Sequence, residues 1–208
     1  MIVSIAVFLI AITIHEFAHS WVADYLGDPN PRLSGRLSLN PKAHIDLLGT
    51  ILLPLFLSLS GSPIVFGWAK PVMIEPGNFR KPRRDMALVG LAGPASNLLA
   101  ALLVSLFLGF LPSALFGVGF VFITTNLVLA VFNLLPIPPL DGSNILLGLL
   151  PFDLAERLEE GIFQYRWLLL IASLLPLFNG QSLVDIIIGP VVGFLAKLFF
   201  SLSLKNFV

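Results

Sequence analysis

The chain has no cysteine in its 208 residues, which excludes disulfide scaffolds, thiolate zinc sites and cysteine nucleophiles. Charge is also scarce. Asp, Glu, Lys and Arg make up 12% of the residues, about half the share of a soluble domain. The twelve basic and twelve acidic side chains cancel, so no basic face is offered and no nucleic-acid partner is expected. Histidine occurs only as His15, His19 and His44. Any bound metal must therefore draw on these three and on carboxylates. What the chain has in excess is apolar residues, 57% of the total, gathered into long runs. A single domain of this size has too little interior to hide them, and the lipid bilayer is the natural solvent.

Run lengths predict an all-α polytopic membrane protein with about five full transmembrane helices, since crossing takes about 20 helical residues. The first span is expected at about Met1–Leu26 and the next full ones at about Met86–Leu111 and Phe116–Leu135. The stretch from Trp167 to Leu202 is broken at Asn179–Gly180 and reads as two more. A shorter segment at about Leu47–Leu59 contains Pro54 and reads as re-entrant or half-inserted. Between it and the next span, Pro63–Arg80 mixes β-branched and aromatic residues with Gly and Pro. That pattern suits a small β-hairpin at the membrane surface, one able to pair with an extended substrate. Phe152–Phe163 spaces Leu154, Leu158 and Ile162 helically among acids, as an interfacial amphipathic helix does. Met1–Ile14 has no basic leader and no small-x-small cleavage site after it, so it is expected to be the first half of a retained helix. No repeat or linker divides the chain, and residues 1–208 read as one domain.

Charge suggests a topology. With the first helix running inward, the Met86 and Phe116 spans outward and inward, and the last two outward and inward, all twelve basic residues fall in inner loops or near inner ends. The short second segment then cannot cross.

The chemistry is concentrated in HEFAH at 15–19. Residues four apart share a helix face, so His15 and His19 can hold one zinc ion side by side. Glu16, beside the first ligand, is placed to act as general base. Two histidines and a glutamate are costly in an apolar membrane helix, which weighs against their being a polar packing cluster. A catalytic zinc needs a third protein ligand and an open position. Asp24 and Asp28 follow the motif too closely to reach back to it, and His44 and Asp46 lie in a basic surface loop. Asp141, in NLLPIPPLDG at 133–142, is better placed, because the prolines unwind the helix before it and Gly142 permits a tight turn. Its alternative role is to cap the helix that starts near Ser143. Asn97 reads equally as a site residue or as a bridge between helices. His44 could line the substrate path or support a ligand, but reads more readily as a loop histidine making a structural hydrogen bond.

Together HEFAH, AGPASN at 92–97 and NLLPIPPLDG resemble the site-2 protease family of intramembrane zinc metalloproteases. GRLSLNPKAHIDLLGT and FGWAKPV are similar to segments of its compact prokaryotic members, which lack PDZ and CBS domains. The resemblance covers nearly the whole chain. It implies that Asp141 is the third zinc ligand, that Glu16 is the base, and that Asn133 contacts the substrate or its oxyanion. It further implies that Gly93, Pro94 and Asn97 shape the helix beside the site, with Asn97 a second candidate for substrate contact. The activity implied is hydrolysis of peptide bonds in or near transmembrane segments of single-span or membrane-anchored proteins. The setting implied is a bacterial plasma membrane with the site toward the cytoplasm. Competing readings are a metal-binding or metal-transport protein and a catalytically silent, protease-like membrane scaffold. A transporter would spread ligands over several depths, whereas here they cluster at one.

Overall fold

A computed structural model of the chain describes residues 2–52, 56, 59, 69–176 and 180–202. The helices are α1 (Ile2–Leu26), α2 (Asn30–Leu33), α3 (Pro82–Phe107), α4 (Ser113–Asn133), α5 (Asp141–Leu149), α6 (Phe152–Ile162), α7 (Arg166–Leu174) and α8 (Leu183–Ser201). Among the described residues four of them, α1, α3, α4 and α8, are long and apolar enough to cross a membrane. The chain is a multi-pass, all-α membrane protein. Its outer faces are apolar, with Ile10, Leu99, Leu103, Val128 and Ile186 exposed. Its interior holds Asn97, Asn126 and Ser105 at zero exposure. Polar side chains inside and apolar ones outside is the arrangement lipid demands, since buried amides and hydroxyls glue helices together there.

α1 packs antiparallel to α3. Ala11 lies beside Asn97, His19 beside Val89, and Ala23 joins Val89 and Phe79 in one apolar cluster. The α1 helix stops at Gly27, whose φ of 115° favours glycine, with Asp28 N–H bonded to Ala23 O and Gly27 N–H to Asp24 O. α4 returns antiparallel to α3, with Asn126 against Asn97. The loops at this end are tied together. The buried Asp28 carboxylate accepts from the N–H groups of Asn30 and Glu75 and from Asn78 Nδ2. The Arg36 guanidinium donates to the carbonyls of Ala43 and Lys70. His44 is buried, donates from Nε2 to the Ser38 carbonyl at 2.7 Å and accepts Lys70 N–H at its own carbonyl. This matches its reading as a structural loop histidine.

The last span runs opposite to the sequence expectation. α8 starts with Val184 and Ile188 among Val131, Leu135 and Leu140, at the C-terminal end of α4. It finishes with Phe199 against Leu108 and Ile123, where the Ser105 hydroxyl donates to the Phe199 carbonyl. It is therefore parallel to α3 and antiparallel to α4. The cause lies in α7. Nine residues reach about 13 Å, well short of the ~30 Å hydrocarbon core, and Leu170 packs in the cluster where α8 begins. The chain thus starts α8 on the side where α4 ended, and Lys197 falls toward the end opposite the basic loops. The arrangement with all twelve basic residues on one side does not hold. A cysteine at Ser201 is expected to react with an impermeant thiol reagent from the membrane face opposite to one at Arg84; labelling of both from one face would contradict this.

The segment expected to be re-entrant opens with a π-helical turn at Leu47–Leu52, and most of the rest lies outside the described residues. The expected hairpin also lies partly outside them. Its described part, 69–75, has no strand, and Pro76–Asn78 is a 3-10 turn. α6 lies on the surface with only Ala155 buried and Phe152 and Leu154 exposed, as an interfacial helix would.

Candidate metal centre

Three side chains converge between α1, α3 and α5. His15 and His19 are one turn apart on α1, with their Nε2 atoms 3.0 Å apart. Asp141 Oδ2 lies 3.1 Å from His15 Nε2 and 3.3 Å from His19 Nε2. This is the one such potential metal-ligand cluster among the described residues. Donors about 2.0–2.1 Å from a tetrahedral zinc stand about 3.3 Å from one another, so the triangle has the size of three corners of such a site.

Hydrogen bonding settles which atoms face inward. His15 Nδ1–H donates to Asn97 Oδ1 at 2.6 Å, and His19 Nδ1–H donates to the Val89 carbonyl at 2.7 Å. Each ring then presents a lone pair on Nε2, toward a carboxylate. Three acceptors facing one another repel unless a cation lies among them, and the residues present fit a zinc ion. Asp141, as a carboxylate, would bring the one negative charge among the three ligands.

Backbone placement explains the convergence. Leu140, in extended conformation, is the N-cap of α5, and Asp141 is its first residue. The Asp141 carboxylate is consequently free of capping. Gly142 presses so closely on the preceding turn that a Cβ there would lie 2.3 Å from the carbonyl oxygens of Leu134 and Leu135. Gly93 brings α3 directly against the imidazoles, since its Cβ would lie 2.4 Å from His19 Nε2 and 2.6 Å from His15 Nε2. Gly93→Ala is expected to weaken zinc binding at least as much as loss of an outer hydrogen bond does, about 10–100-fold. Competition with a chromophoric chelator checks this, and affinity equal to the parent would show that the rings are not held where described.

The remaining sequence candidates fall as follows. Glu16 is half-buried on α1, one residue after His15, and its carboxylate makes no hydrogen bond among the described residues. Asn133 ends α4 half-buried, with Nδ2 donating to the Leu129 carbonyl at 3.0 Å. Asn97 lies behind His15 at zero exposure with both ends of its amide engaged, which leaves it no surface for substrate. Asp28 is committed to the loops, and Asp24 pairs with Arg32. Asn126 was not singled out by the sequence reading. The signal was present: an amide within an apolar run, seven residues before Asn133 and so on the same helix face.

The fold and cluster define a membrane protein with a His-His-Asp cluster, both histidines buried, that could hold a metal ion. The Bacillus subtilis protein "Putative zinc metalloprotease YwhC" is 40% identical over 163 residues, which cover 73% of this chain and 71% of that protein. "Putative zinc metalloprotease Rip2" of Mycobacterium tuberculosis H37Rv is 33% identical over 181 residues, 85% of this chain and 68% of that one. Rip2 of Mycolicibacterium smegmatis is 35% identical over 149 residues, and there the match spans 56% of the relative. The chain belongs to this site-2-protease-like family of zinc metalloproteases. No family model and no solved structure matches it.

Proposed function

We propose that the chain is an intramembrane zinc endopeptidase that hydrolyses peptide bonds in or beside transmembrane segments of single-span or membrane-anchored proteins. The observation that carries this reading is the position of the cluster. His15 and His19 lie inside a 25-residue apolar helix, and His19 is seven residues, about 10 Å, from its C-terminal end. Zinc held by His15, His19 and Asp141 would supply the Lewis acidity that makes water nucleophilic near neutral pH. Glu16 takes the proton from the attacking water and returns it to the leaving amine. Asn133, with one amide N–H left beyond its bond to Leu129, holds the substrate carbonyl. A membrane helix hides its peptide groups in its own hydrogen bonds, so the substrate must unwind before it is cut.

The eight basic residues from Arg32 to Arg84 lie between the end of α1 and the first turn of α3. By the positive-inside bias they favour the cytoplasm for that end, to which His19 is nearer, in a bacterial plasma membrane. The test is reconstitution in lipid vesicles with a single-span reporter. Cleavage at a bond within or bordering the span, lost with a chelator and restored by zinc, is expected. Cleavage of unstructured soluble peptides with the reporter left intact would contradict the reading.

A further inference from the structure

Asn126 touches no metal ligand, yet it is fully buried and its amide is engaged at both ends. A directed chain of hydrogen bonds leads from it to the metal centre. Asn126 Nδ2 donates to the Phe122 carbonyl at 2.9 Å. A backbone carbonyl only accepts, so this contact turns Asn126 Oδ1 toward α3. There it accepts from Asn97 Nδ2 at 2.7 Å, and the same nitrogen donates to the Ala11 carbonyl at 3.1 Å. With Nδ2 held by two acceptors, Asn97 must present Oδ1 to His15 Nδ1, 2.6 Å away. His15 then carries its proton on Nδ1 and keeps the Nε2 lone pair for the cluster.

We infer that Asn126 is a positioning residue for the metal centre: it fixes the orientation of the Asn97 amide and, through it, the tautomer of His15. Two backbone carbonyls set the polarity of the chain, and neither can reverse. In a bundle interior no water replaces a lost partner, so removing one amide frees the next to turn. A residue that merely bridged α3 and α4 would affect helix packing and leave the metal untouched.

The test uses the full chain in detergent, with zinc affinity read by chelator competition and site geometry by the visible absorption of bound cobalt(II). Asn126→Leu removes the acceptor. Asn126→Ser removes it with less disturbance, because a helical serine hydroxyl turns back on the carbonyl four residues earlier. Both are expected to bind zinc about tenfold more weakly, the lower end of the range for outer hydrogen-bond losses, with an altered cobalt spectrum. Asn126→Asp, protonated when buried, keeps one donor and one acceptor and is expected to stay within about threefold of the parent. Either of the first two, folded and binding zinc as tightly as the parent, overturns the inference. It rests on the metal-centre reading, and a parent chain that binds no zinc would overturn that reading and this one with it.

Discussion

Glu16→Gln is expected to abolish cleavage of a membrane-anchored reporter while the protein still binds one zinc ion. The two effects separate because Glu16 is beside the cluster without belonging to it. The atoms that would ligate the metal come from His15, His19 and Asp141, and the Glu16 carboxylate makes no hydrogen bond among the described residues that its loss would break. Glutamine keeps the shape of the side chain but cannot take a proton from water. General-base catalysis contributes about 10²–10⁴-fold, so the remaining rate should fall to the limit of a gel-based assay. Zinc content measured on the same preparation completes the test. Activity retained by a zinc-loaded variant would remove Glu16 from the proton-transfer role.

Asp141→Ala should do the reverse and lose the metal with the helices intact. Leu140 is the N-cap of α5, and the Asp141 carboxylate makes no capping bond that its removal would cost. The polar contacts of that carboxylate are with the two imidazoles. Without it the rings lose the charged corner of the site. Zinc affinity is expected to fall more than about 100-fold, beyond the range for outer hydrogen-bond losses. Unchanged helical circular dichroism would show that folding survives. Zinc binding at the parent affinity would mean that another group supplies the third ligand.

The parts legible in the sequence were those encoded by short spacing. A four-residue interval put His15 and His19 on one face, and the prolines before Asp141 marked where a carboxylate could leave its helix. The long apolar runs likewise announced α1, α3 and α4. The direction of α8 was not legible, because a hydropathy run records apolar length and not where the helix breaks. The run after Trp167 looked like two crossings, yet α7 has nine helical residues and packs Leu170 beside the start of α8. One lysine on α8, Lys197, weighed little against the eight basic residues between α1 and the first turn of α3 that fitted the expected topology. The roles of Asn97 and Asn126 depended on three helices meeting. Each amide is buried against carbonyls of its own helix or a neighbour, and no spacing along one strand of sequence specifies such a junction. Gly93 was visible as part of AGPASN, but its need to be glycine comes from the imidazoles of α1 lying against it.

X-ray absorption at the zinc edge of the zinc-loaded chain tests the metal centre most directly. The account predicts two imidazole nitrogens and a carboxylate oxygen in the first shell at about 2.0–2.2 Å, with His19→Ala either losing the zinc or, where zinc is forced on by excess, showing one imidazole fewer. A shell of oxygen alone, or one unchanged by His19→Ala, would contradict it.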